Sequence, residues 1–105
     1  MIKYSVELMP EAIDDLQAIY DYIAYDLKSE INAVSQLERI ETEIEKLGIL
    51  PNGFKPYERE PWHSRGLRML PVDNYVIFYI ADSEVKTVYV LRIMYGRMDF
   101  SDHWK

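Results

Sequence analysis

The residues able to do chemistry in this 105-residue chain are few, and most lie in its second half. Arg68 sits in Gly66-Leu67-Arg68-Met69-Leu70, Arg92 among Val88, Val90 and Met94, and Arg97 directly after Gly96. A guanidinium in so apolar a stretch must find an anion or carry its head into a cleft, because an uncompensated buried charge is costly. For Arg92 taken alone, the plainer expectation is an ion pair with an acid such as Asp99 that orients the tail. His63, Arg65, His103, Trp104 and Lys105 join this basic surface if a central loop and the tail meet. Such a surface could cleave RNA only with a proton acceptor, a proton donor and cations on the phosphate. Arg68, Arg97 and His103 are the residues here able to improvise those roles.

Other chemistries lack their residues. Cysteine is absent, so a disulfide framework, a thiolate zinc site and a cysteine nucleophile are excluded. His63 and His103 fall outside metal-ligand spacing, and the four glycines are too scattered for a phosphate-cradling loop. Ser64 beside His63 has no acid and oxyanion partner in order. No metal or cofactor is expected. The adjacent Asp14 and Asp15, and the run Glu41, Glu43, Glu45, read as solvated helix faces.

Twelve Lys and Arg against 18 Asp and Glu give a net charge of −6, which argues mildly against a nucleic-acid binder. The charge is uneven. Residues 1–50 hold four basic and eleven acidic residues, a net of −7, and residues 51–105 hold eight and seven, a net of +1. Composition is that of an ordinary globular domain, with 49 % hydrophobic and 29 % charged residues. One domain over residues 1–105 is expected. No run approaches the roughly 20 apolar residues of a membrane span. The first residues carry charges where the apolar run of a signal peptide would be, so a cytoplasmic protein with no membrane partner is expected.

The elements that must position these residues follow from periodicity. Ile2, Tyr4, Val6 and Leu8 alternate with polar residues, which predicts a strand. Pro10 suits a first helical turn. Ile13, Leu16, Tyr20, Ile23 and Leu27 then form an apolar stripe that predicts a helix over about 11–27. Ser29 reads as an N-cap to a second helix over about 30–47, with its stripe at Ile31, Val34, Leu37, Ile40, Ile44 and Leu47. Gly48 sits where a left-handed C-cap residue belongs. Only Lys28 and Ser29 separate the two, so an antiparallel hairpin is expected. Pro51, Asn52, Gly53, Pro56 and Pro61 break regular structure over 49–65, while Phe54, Tyr57 and Trp62 should pack that loop down. Strands follow at 66–72, 75–80 and 85–95, with turns at Asp73-Asn74 and Ala81-Asp82-Ser83-Glu84. The fold class is α+β: an N-terminal strand, an antiparallel helical hairpin, then a three-stranded antiparallel meander covered by the hairpin.

Three segments in register resemble the RelE/ParE toxin superfamily across nearly the whole chain. Residues Gly66 to Tyr79 resemble its central hairpin. Val90-Leu91-Arg92-Ile93-Met94-Tyr95-Gly96-Arg97-Met98-Asp99 resembles its closing strand and the Gly-Arg step after it. Tyr4 to Ala12, with the following Asp15-Leu16, resembles its opening strand and first helix. The resemblance implies the toxin of a bacterial type II toxin–antitoxin pair that stabilises plasmids. A cognate antitoxin neutralises such a toxin, and operator DNA is met only through that antitoxin. Two activities are implied by the superfamily: mRNA cleavage in the ribosomal A site, and inhibition of DNA gyrase without a known catalytic residue.

The mRNA-cleaving branch has an Arg after the aromatic that opens the middle strand, and Val76 follows Tyr75 here. It has basic residues on the preceding strand where Leu67 and Met69 flank Arg68, and an Arg where Met98 stands; its tail Tyr aligns with Trp104. These departures, with the acidic balance, favour the ParE-like, non-enzymatic branch. Arg65, Arg68, Arg92, Arg97, Asp99 and Trp104 are then the expected surface for target or antitoxin. The alternatives are a ribosome-dependent endoribonuclease and a degenerate, non-toxic member that still binds antitoxin.

Overall fold

The computed structural model describes residues 3–96. Its elements are β1 (Ser5–Leu8), α1 (Pro10–Asp21), α2 (Glu30–Lys46), β2 (Lys55–Pro56), β3 (Leu67–Val72), β4 (Tyr75–Asp82) and β5 (Thr87–Tyr95). The strands form one sheet in the order β1-β5-β4-β3-β2. The α+β architecture expected from the sequence is the one observed. The meander β3-β4-β5 is antiparallel throughout, whereas β1 pairs in parallel with β5, from Ser5 opposite Thr87 to Leu8 opposite Val90. A parallel neighbour needs a long crossover, and the helical hairpin and meander supply it.

α1 does not stop at Asp21 but continues as a π-helical turn over Tyr22–Asp26. Lys28, with a positive φ of 57°, reverses the chain. Ser29 then caps α2 as expected, its hydroxyl accepting from the Asn32 amide at 3.3 Å. The buried face of the hairpin is Ala12, Ile19, Ile23 and Ala24 against Ala33, Ile40, Ile44 and Leu47. Four residues of the expected stripes, Ile13, Leu27, Ile31 and Val34, are instead exposed. Ala12 rather than Ile13 meets the sheet. The wider π turn also rotates Leu27 out of the register that a uniform 3.6-residue helix would give.

Gly48 is not the left-handed cap that its place suggested. Its backbone passes β1 so closely that a Cβ there would lie 2.9 Å from the Tyr4 carbonyl oxygen, and the Tyr4 amide donates to the Gly48 carbonyl at 2.7 Å. At the β3–β4 turn, Asp73 does adopt a positive φ, of 55°. Gln36 and Arg39 of α2 both donate to its carboxylate, at 2.9 and 2.7 Å. Those hydrogen bonds, that of Arg39 first, hold the Asp73 carboxyl below its ordinary range.

Both faces of the sheet are covered. On the helical side, Leu70, Val72, Tyr75, Ile77, Tyr79, Val88, Val90 and Ile93 pack under the hairpin. On the other side, Leu67, Phe78 and Met94 pack with Tyr57 and Trp62 of the loop. The apolar alternate residues of β4 are thereby explained, since both faces are largely covered. The loop runs from the helical side, where Phe54 joins that core, past the β3 edge as β2, to the far side. The prolines left room for that two-residue strand, which the sequence alone did not suggest.

Candidate functional site

The three described site residues occupy separate places. Arg68 lies opposite Tyr79 on the helical side of the sheet, and its Nη1 donates to the Phe54 carbonyl at 2.7 Å. Tyr79 is fully buried, and its hydroxyl donates to the Pro51 carbonyl at 2.6 Å. Burial pushes that phenol up to about 12. Arg68 and Tyr79 thus tie the start of the loop to adjacent strands.

Arg65 is exposed at the end of the loop, its guanidinium carbon 5.1 Å from the centroid of the buried Trp62 ring. That is cation–π range, and it holds the charge above the sheet face opposite the helices. His63 Nδ1 lies 2.8 Å from the Tyr57 carbonyl. Ser64 donates to Glu60 through both its amide, at 2.7 Å, and its hydroxyl, at 2.5 Å, and those bonds lower the Glu60 carboxyl from its ordinary value. Among the described residues, this local turn directs the Ser64 hydroxyl to Glu60 and not to His63.

Arg92 finds its anion on α1. Its Nε donates to Asp15 Oδ2 at 2.8 Å and its Nη2 to Asp15 Oδ1 at 2.9 Å. The Ile93 amide donates to Asp15 Oδ2, also at 2.8 Å. Both side chains are largely buried, and the bidentate bonds to Asp15 raise the Arg92 pKa. Asp99, the acid expected for Arg92, lies outside the described residues; among the described residues Asp15 is the acid on Arg92. Asp15 is therefore not part of a solvated face. The signal for it was present: Ala12, Asp15 and Ile19 follow the three-and-four spacing of a buried helix face. Reading Asp14 and Asp15 as one acidic pair hid it.

Arg68 on β3 and Arg92 on β5 have β4 between them, roughly 10 Å of strand spacing. The structure does not bring them to one anion. Val76, where the mRNA-cleaving branch has its Arg, packs against the apolar cluster of Phe78 and Met94. Arg97, Asp99, His103 and Trp104 lie outside the described residues. Gly96, just before them, donates its amide to the Asn74 carbonyl at 2.7 Å, so Gly96 itself sits beside the β3–β4 turn.

With this geometry in view, the comparisons with known proteins decide the family. Residues 6–100 match the family described as ParE toxin of type II toxin–antitoxin system, parDE. The chain belongs to the ParE toxin family. No curated protein matches it in sequence. Among solved structures it is similar to a chain of the chromosomal ParDE system from P. aeruginosa, with a TM-score of 0.73 and 21 % identity over 90 % of this chain and 98 % of that one. It is also similar to a chain of the RelBE2 toxin–antitoxin complex from Mycobacterium tuberculosis, with a TM-score of 0.61 and 23 % identity over 90 % and 93 % of the two chains. An archaeal RelE–RelB complex from Pyrococcus horikoshii gives 0.61 and 13 % identity over 92 % and 99 %. At such identities the likeness to solved structures carries the fold, which ParE and RelE proteins share. Among the described residues no helix is long and apolar enough to cross a membrane.

Proposed function

We propose that this ParE-family toxin acts by binding DNA gyrase and inhibiting it, not by cutting RNA, and that a cognate antitoxin neutralises it. The observation that carries the reading is the dispersal of three described arginines, Arg65, Arg68 and Arg92. Arg68 is engaged by the Phe54 carbonyl, Arg92 by Asp15, and Arg65 by the Trp62 ring, on different parts of the sheet. Attack by a ribose 2′-hydroxyl needs cations converging on one phosphate with a proton acceptor and donor beside them. Binding a protein target needs only a surface, and exposed Arg65 offers a basic group for one. The net charge of −6 supports the same choice, since docking into ribosomal RNA favours a cationic protein.

The test is induction of the chain in a bacterium that lacks its antitoxin. Growth arrest with an SOS response and covalent gyrase–DNA complexes is the expected result. Arrest with codon-specific mRNA cuts and intact DNA would overturn the gyrase reading in favour of an endoribonuclease. Unimpaired growth would mark a non-toxic member that retains only antitoxin binding. Co-purification with the product of an adjacent small reading frame tests the antitoxin directly.

A further inference from the structure

The loop over residues 51–66 is fastened to the sheet along its length. At its start the Pro51 carbonyl accepts from the Tyr79 hydroxyl at 2.6 Å, and the Phe54 carbonyl from Arg68 at 2.7 Å. Further on, the Tyr57 amide donates to the Leu67 carbonyl at 2.8 Å, and the Leu67 amide to the Trp62 carbonyl at 3.0 Å. The Tyr57 and Trp62 rings are buried, the first in edge-to-face contact with Phe78, 6.0 Å between centroids. A strap held in this way presents its outer side chains in fixed places, so little entropy is lost when a partner meets them.

The charges on that outer side differ in how they are engaged. Glu58 is met by Lys55 at 3.4 Å, and Glu60 by the amide and hydroxyl of Ser64. Arg65 is exposed, and among the described residues no acid pairs with it. Its guanidinium carbon is held 5.1 Å from the centroid of the Trp62 ring. The ring attracts the charge through its face and offers no carboxylate, so the fork of N–H donors is left for an outside acceptor. Gly66 follows at a positive φ of 85°, which a residue with a side chain rarely adopts, and turns the chain directly from Arg65 into β3.

We propose that the outer side of this strap meets the protein target, and that the Arg65 fork takes a carboxylate of that target. Trp62 is a positioning residue: it is 7 % exposed, so it holds Arg65 and does not itself reach the partner. A planar guanidinium matches a carboxylate through two parallel hydrogen bonds. Nucleic acid fits less well, because exposed Glu58 and Glu60 stand in the same short strap and would face its dense row of phosphates. Contact with a protein also strips water from the Arg65–Trp62 pair, where the attraction between cation and ring grows. That the partner is DNA gyrase rests on the proposed function; that the strap is the contact rests on its own geometry.

The experiment scores growth after induction of the full-length chain, and binding of the purified chain to DNA gyrase with and without DNA. Arg65→Glu is expected to bind about tenfold more weakly or worse, and to lose growth arrest, with its urea midpoint unchanged. Lys3→Glu makes the same charge change just before β1, at the opposite edge of the sheet from β2, and should bind within about twofold of wild type. Trp62→Leu should weaken binding in the wild-type chain and add nothing in an Arg65→Ala chain, whereas a purely structural role would weaken both alike. An Arg65→Glu chain that binds and arrests growth as wild type does, a Lys3→Glu loss of the same size, or a Trp62 effect undiminished by Arg65→Ala would overturn the proposal. Binding that appears only when DNA is present would overturn the carboxylate as the group recognised. A wild-type chain that arrests growth without binding gyrase, while Arg65→Glu does not arrest it, would overturn the gyrase reading and support the strap. A wild-type chain that does neither would overturn both.

Discussion

Asp15 on α1 clamps Arg92 of β5 through two side-chain bonds and takes the Ile93 amide as a third. The placement answers a defect in the sheet. β1 accompanies β5 only as far as Leu8 opposite Val90, and among the described residues those of β5 beyond that point have no strand on that edge. The register of β5 against β4 also slips there, with Tyr79 opposite Val90 and Phe78 opposite Arg92. Asp15 supplies the acceptor that a strand would have supplied and neutralises the guanidinium beside it. Removing one member of such a pair leaves an unpaired charge in a largely dry place. Asp15→Ala is expected to destabilise by about 3 kcal/mol, and Asp15→Ala with Arg92→Leu by clearly less. Urea unfolding of both variants checks this, and equal losses would show that the pair itself matters little.

Gly48 tests the contact between the end of α2 and β1. Any side chain there meets the Tyr4 carbonyl at 2.9 Å and the Glu45 carbonyl at 3.3 Å, both backbone atoms that cannot swing aside. Gly48→Ala should cost about 2 kcal/mol, in the range of overpacking elsewhere. This runs against the gain in backbone rigidity that replacing an unstrained glycine brings. A thermal midpoint raised by the substitution would show that β1 yields easily.

These two positions also show what was readable in the residues. The strand and helix periods placed every major element, and Ser29 and Asp73 behave as their types suggest. Gly48 was recognised as special but for the wrong reason, because a cap and a close approach both ask for glycine, and only tertiary structure separates them. Leu27 was misplaced because a uniform helical wheel cannot foresee a π turn at Tyr22–Asp26, and Ile13 because its neighbour Ala12 takes the buried position. The arginines were found by type. Their separation was not, since it depends on strand order and on Asp15, Phe54 and Trp62, partners distant in sequence from Arg92 and Arg68 or unremarkable in kind.

Tyr79 carries a pH dependence whose sign is fixed. Its phenol stands at about 12 in the folded chain, against about 10 for an exposed tyrosine. Folding therefore favours the protonated form. The contribution to stability is fully present below pH 10 and is lost as pH rises from there through 12. Tyr79→Phe forfeits the hydrogen bond to the Pro51 carbonyl, about 1 kcal/mol at neutral pH. In exchange, its stability should fall less steeply than the wild type between pH 10 and 12. Denaturant midpoints measured across that interval decide it; parallel curves would mean that the hydroxyl ionises freely in the fold.

If the proposed function holds, the arginines should divide into those that build the fold and those that meet a target. Arg92→Ala should abolish growth arrest together with stability, through the vacancy opposite Asp15. Arg68→Ala should loosen the loop at Phe54 and lower toxicity in proportion to the stability lost. Arg65→Ala removes an exposed charge above Trp62 and should leave the unfolding midpoint within about 0.5 kcal/mol of wild type. Arg97→Ala, just past the last strand, is expected to lose toxicity with the fold retained. The measurement is growth after induction beside the urea midpoint of each purified variant. An Arg97→Ala chain that still arrests growth fully would remove that residue from the target surface and leave Arg65 as the basic group to pursue.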